Sequence, residues 1–209
     1  RRPPRSTRKE SSAASDVYKR QLEEPWQTDD SIGSWGYNPS KPYMTPDLVV
    51  DKLIDIVSKN GNMLLNIPIK ADGTLDAEAT VLLQDVGKWF AVNGEAIYGT
   101  RPWYMYGEGR NEIGHHDLES EMTAKDFRYT TKGDLLYAFV LDWPRYGRNP
   151  VVFPNIVKMN TRISEVASVE LLGHDGELEW ENHGDGLHVT FPKEKPCDYA
   201  YALKITFKK

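Results

Sequence analysis

The sequence holds a single cysteine, Cys197, so no disulfide can close within the chain and a disulfide-stapled scaffold is excluded. It also lacks the Cys/His spacings of a structural zinc site. His115 and His116 are adjacent, and neighbours along a chain rarely converge on one metal, so the pair reads as a polar loop. No apolar run approaches the roughly 20 residues of a membrane span. Basic charge is scarce over most of the length. Residues 1–21 hold seven of the 26 Lys and Arg but two of the 31 Asp and Glu, so residues 22–209 carry a net −10. An acidic body without a basic stripe argues against nucleic acid as a partner. The first 21 residues lack the apolar stretch of a secretory signal peptide.

What is present suffices for a core. The 209 residues are 39% hydrophobic and 27% charged, enough for one large domain or two small ones. "RRPPRSTRKESSAASDVYKRQ" has no period of 2 or 3.6. Two readings fit it: a disordered basic arm, or a non-native segment resembling translated linker. Both set residues 1–21 outside the fold.

Thr45-Pro46-Asp47 is a helix start: a hydroxyl to cap a free amide, a proline tolerated at the first position, and an acid at the positive end of the dipole. Val49, Val50, Leu53, Ile54, Ile56 and Val57 then form an apolar stripe at helical spacing, stopped by Asn60-Gly61. "NMLLNIP" is apolar on both faces, as a strand in a helix-covered parallel sheet is. After the Asp72-Gly73 turn, Asp76 caps a second helix carrying Leu82, Leu83, Val86, Trp89 and Phe90. One strand and two helices close neither a barrel nor a doubly wound sheet, so this stretch reads as the end of a larger barrel. Such a cut would expose the apolar faces of the helices at 45–60 and 76–92.

Beyond about Trp103 the pattern changes to short strands at roughly ten-residue spacing, the signature of an antiparallel sandwich. Turns are expected at Lys132-Gly133, Asp175-Gly176 and Asp185-Gly186, and a last strand is expected to align Tyr199, Tyr201, Leu203, Ile205 and Phe207. The expected fold is therefore α/β plus all-β. Residues 22–103 form an incomplete (β/α)8-like barrel remnant, and residues 104–209 an antiparallel β-sandwich.

Four stretches in order, "PWQTDDSIGSWGYN", "DIVSKNGNMLLNIP", "ADGTLD" and "VGKWFAVNGEAIYGTRPW", resemble the C-terminal part of the catalytic barrel of α-L-fucosidases, glycoside hydrolase family 29, and the resemblance extends into the C-terminal β-sandwich through its architecture and the "YAFVLDWP" strand. The resemblance implies an exo-acting enzyme that removes terminal α-L-fucose from oligosaccharides or glycans with retention. It implies no metal or organic cofactor, and an exported or lysosomal location. Such chemistry needs two carboxyl groups about 5–5.5 Å apart, one a nucleophile and one an acid/base. In the family the nucleophile Asp and the fucose-binding histidines lie upstream of these motifs, and His115-His116 do not correspond to that pair. Where many members read Trp-Glu this chain has Trp26-Gln27, and an amide cannot act as the acid. Glu23, Glu24, Asp29 and Asp30 are nearby carboxyls in what reads as a loop, so none is assigned.

Barrel sites sit at the C-terminal ends of the strands. The resemblance therefore implies that Trp35 packs against fucose, with Trp26, Gln27 and Tyr37 as further pocket candidates. An indole face suits the apolar C6 methyl, although a Trp before a helix also serves as core. Asn66 points to the same end or caps a turn. "NGEAIYGTRPW" reads as a staple in which Ile97, Tyr98 and Trp103 join barrel to sandwich, with Arg101 pairing an acid across the seam. Trp143, Trp180 and the sandwich tyrosines read as core or as a sugar-binding face. On the second reading the sandwich is a free-standing carbohydrate-binding or interaction module.

Overall fold

The structure is a computed structural model that describes residues 22–111, 113, 119–144, 150–158 and 166–208. The expectations for residues 1–21 and for His115-His116 lie outside the described residues. The first half contains two consecutive βα units: β1 (Trp26–Ser31), α1 (Pro46–Ser58), β2 (Gly61–Asn66) and α2 (Ala77–Asn93). β1 and β2 pair in parallel. Both helices start where their caps predict. Leu48 N–H donates to Thr45 Oγ1 at 3.2 Å, and Ala79 N–H to Asp76 Oδ1 at 2.8 Å. Asn60 takes the left-handed conformation (φ 71°) that ends α1.

The acidic stretch "WQTDDS", read as loop, is the strand β1. It lacks an apolar pattern because its helix-facing positions are held by polar bonds. The Trp26 indole donates to Lys59 O at 2.9 Å, and Asp30 is buried against Lys52 of α1 at 2.9 Å. The remnant thus has two strands rather than one.

Two antiparallel sheets follow. The larger has the order β3 (Arg101–Glu108), β4 (Phe127–Lys132), β5 (Leu135–Val140), β10 (Tyr201–Phe207), β7 (Val166–Leu171). The smaller has the order β6 (Val151–Phe153), β9 (Gly186–Thr190), β8 (Glu179–His183), and a short helix α3 (Pro154–Lys158) follows β6. β3 begins at Arg101 and so spans the expected 103/104 division.

Alternation along β5 and β10 assigns each face of the large sheet a different partner. Leu136, Ala138, Val140, Leu203 and Ile205 meet Phe153, Leu187 and Val189 of the small sheet. Tyr137, Phe139 and Ala202 meet Val50, Ile54 and Trp89 of the helices. The Trp89 indole donates to Ala200 O at 2.7 Å, inside that second layer.

The helices' apolar faces are therefore buried rather than exposed. Tyr199 departs from the expected alternation: it sits at φ 70° ahead of β10 and packs on the helix side. The seam is carried by Arg128, whose Nε lies 2.6 Å from Asp55 of α1, and Asp55 also holds Lys59 at 2.7 Å. Arg101, expected to pair across it, is exposed and donates to its neighbour's carbonyl, Thr100 O. The staple forms in part. Ile97 is buried at the seam and the Thr130 hydroxyl donates to Ala96 O at 2.8 Å, whereas Tyr98, 62% exposed, stacks on Phe90 of α2 and Trp103 packs on Tyr129 in the sandwich core.

Candidate functional site at the open end of the strand pair

Parallel register places Gln27 beside Asn62, Asp29 beside Leu64, and Ser31 beside Asn66. Asp30 faces α1, so its neighbours Asp29 and Ser31 face away from the helix, as does Gln27. This second face is open: Gln27, Asp29 and Asn62 are exposed, and Leu64 is 57% exposed. In a closed barrel it would be the inner wall.

At its C-terminal end the strand pair is bracketed by side chains. Asn66 Nδ2 donates to Ser31 Oγ at 2.8 Å and to Trp35 O at 3.1 Å. Ser31 Oγ in turn donates to Ser34 O at 3.1 Å. A second tie comes from behind the loop. Gly33 lies so close to the Tyr43 ring that a Cβ there would stand 2.5 Å from Tyr43 Cδ1. The Tyr43 hydroxyl donates to Asp76 Oδ2 at 2.9 Å, on the residue that caps α2. Burial and the neighbouring Asp76 carboxylate push the Tyr43 phenol up to about 12, so it stays a donor at neutral pH. The loop between β1 and α1 is thus fastened to both strand ends and to the next helix, and it presents Trp35, 62% exposed, and Tyr37 to solvent.

The candidate residues do not all meet. Trp35 and Tyr37 share the loop at the C-terminal end. Gln27 lies on the open face but four residues down the strand, about 13 Å at the ordinary strand rise. Trp26 stands at the opposite, N-terminal end of β1. Its ring rests on Gly61, where an added Cβ would lie 2.6 Å from Trp26 Cζ2.

Glu23 and Glu24 precede β1 at that same far end. Asp30 is tied to Lys52 and accepts from Ser31 N at 2.8 Å, on the helix side. Asp29 shares the open face, beside Leu64. Asn66 braces the loop rather than only capping a turn. Ser31 was missed by sequence reasoning, since one serine in a polar stretch carries no signal until β1 is known to be a strand.

Most of the sandwich aromatics are drawn inward, although Tyr104 on β3 is exposed. Tyr129, Tyr137 and Tyr201 are buried. Trp143 meets Phe191 and Tyr201 edge-on, and Trp180 packs on the core. Among the described residues no group of three or more His, Cys, Asp or Glu side chains is placed to hold a metal, and no helix is long and apolar enough to cross a membrane.

Two family models match the chain in tandem: alpha-L-fucosidase over residues 6–95, and the alpha-L-fucosidase C-terminal domain over residues 119–206. The chain belongs to the α-L-fucosidase family. It is 33% identical over 180 residues to an alpha-L-fucosidase of Branchiostoma floridae, covering 82% of this chain and 36% of the relative. Among solved structures it resembles alpha-L-fucosidase isoenzyme 1 of Paenibacillus thiaminolyticus (TM-score 0.67, 29% identity, 88% of this chain and 40% of the other). It also resembles the Thermotoga maritima alpha-fucosidase in complex with fucose (TM-score 0.69, 25% identity, 89% and 40%). The chain therefore spans between a third and two fifths of the length of these fucosidases. The likeness takes in both the two βα units and the sandwich, as the sequence motifs imply.

Proposed function

We propose that the chain supplies part of the fucose-facing wall of a retaining exo-α-L-fucosidase acting on terminal α-L-fucose of oligosaccharides or glycans. The observation that carries this reading is the bracketed loop. It holds an exposed indole at the C-terminal ends of two adjacent parallel strands, where barrel enzymes build their sites. Trp35 offers a flat apolar face to the C6 methyl and the C–H side of the pyranose, and Tyr37 flanks it. Gln27 lines the wall farther down. Trp26 acts from beneath, seating the start of β2.

The carboxylate pair is another matter. Retention requires two carboxyl groups about 5–5.5 Å apart. Asp30 is neutralised by Lys52, and Asp29 neighbours Leu64 across the register. Family resemblance puts the nucleophile on a strand that residues 22–209 do not supply. The chain by itself is therefore expected to recognise fucose weakly and not to cleave it.

The test is a titration of the chain with methyl α-L-fucoside, followed by the Trp35 indole N–H resonance in nitrogen-15 NMR spectra. Methyl α-L-galactoside, which differs by a hydroxyl on C6, is the control. The reading predicts a shift of Trp35 with the fucoside and at least a tenfold weaker response to the galactoside. Equal responses, or none at Trp35, would refute it.

A further inference from the structure

We infer that Asn66 is a positioning residue for Trp35, with Ser31 as its hub, and that this bracket sets the height of the indole over the sugar. The inference rests on the fucose-wall reading above for its purpose, but its geometry stands separately. A neutral amide has two N–H donors on Nδ2. Asn66 uses them on Ser31 Oγ (2.8 Å) and Trp35 O (3.1 Å). Ser31 Oγ accepts from Asn66, lies 3.5 Å from Gly33 N, and donates to Ser34 O at 3.1 Å. Two side chains from adjacent strand ends thus address three consecutive loop residues, Gly33, Ser34 and Trp35. The backbone adds Ile32 N–H to Asn66 O at 3.2 Å, so the loop leaves β1 already fixed in register with β2.

The bracket fits positioning better than simple turn closure. A turn needs its own backbone satisfied, whereas Asn66 reaches 31 residues back to the carbonyl of the one exposed tryptophan. Trp35 itself, 62% exposed, has little packing to hold it. Its orientation is set through its main chain, leaving the ring free to meet a ligand. An aromatic platform held this way presents its face at a lower ordering cost on binding.

Asn66→Asp keeps the side-chain shape and removes both donors. The expected result is selective: the Trp35 backbone amide falls from an order parameter of ~0.85 to below ~0.6. Meanwhile the Trp89 indole, bonded to Ala200 O inside the helix–sheet core, keeps its native resonance. Response to methyl α-L-fucoside should weaken at least tenfold. An unchanged Trp35 order parameter in a folded Asn66→Asp protein overturns the inference.

If Trp89 shows that this variant does not fold, Ser31→Ala takes its place. It must loosen Gly33 to Trp35 with Trp89 unaltered, and a rigid loop there overturns the inference equally. The two proposals fail separately. A native protein that ignores the fucoside sinks the sugar reading, while the order parameters still decide the bracket.

Discussion

Asp51 is fully buried on α1, accepts from the Ser120 hydroxyl through Oδ2, and has no hydrogen-bond partner for Oδ1 among the described residues. Burial, helped by the charges of Asp47 and Asp55 and opposed by Ser120 and Arg128, raises its pKa well above the ordinary 3.8. The folded protein therefore binds this proton more tightly than the unfolded chain does. The protonated group's contribution is complete below pH 3.8 and is lost as pH rises through the folded value. Asp51→Asn should be more stable than the native protein at pH 7, with the gap closing toward pH 4, as read from urea melts at several pH values. A gap independent of pH would show that Asp51 is charged in the fold. Gly61 is a second sensitive point, because a Cβ would meet Trp26 and Ile56 Cγ2, the latter at 2.7 Å. Gly61→Ala should cost about 1–3 kcal/mol by overpacking.

At the scale of elements, the helices were legible because their signals are local. Thr45, Pro46 and Asp76 act within one turn, and the apolar residues of α1 and α2 recur at helical spacing, although each helix divides them between the large sheet and the strand pair. β1 was not legible. A strand whose helix-facing side holds an indole hydrogen bond and a Lys–Asp pair looks polar throughout, and only its pairing with β2 reveals it. The same reason hid the candidate site: once β1 is a strand, the residues of one stretch divide between its two ends and two faces.

The seam was half legible. The part played by Ile97 could be read, but the charged anchor could not, since Arg128 and Asp55 are 73 residues apart in sequence. Arg128→Met should cost about 3 kcal/mol by leaving Asp55 with Lys59 alone in a buried position. Asp76→Ala should cost about 1 kcal/mol as a lost cap. It should also free the Tyr43 hydroxyl, bringing the phenol's titration down from about 12 toward its ordinary value of 10.0 in a spectrophotometric pH series.

At the scale of the molecule, the five-stranded sheet is a middle layer, with the small sheet on one face and α1 and α2 on the other. That arrangement gives the two βα units a core of their own with the sandwich, and it leaves the inner face of the strand pair open, a polar wall of Gln27, Asp29 and Asn62 around the exposed Leu64. The order of architecture along the chain was readable from the change of period near Trp103. The burial of the helices was not, because nothing in a helical stripe says which sheet it meets.

On the proposed function this wall binds the sugar but lacks the carboxylate pair for cleavage. The direct test is release of nitrophenol from a nitrophenyl α-L-fucoside by the purified 209-residue chain. No release above buffer is predicted, at any pH at which the chain stays folded. Turnover that disappears on replacing Asp29 with Asn would place the chemistry on the open face itself and contradict the account.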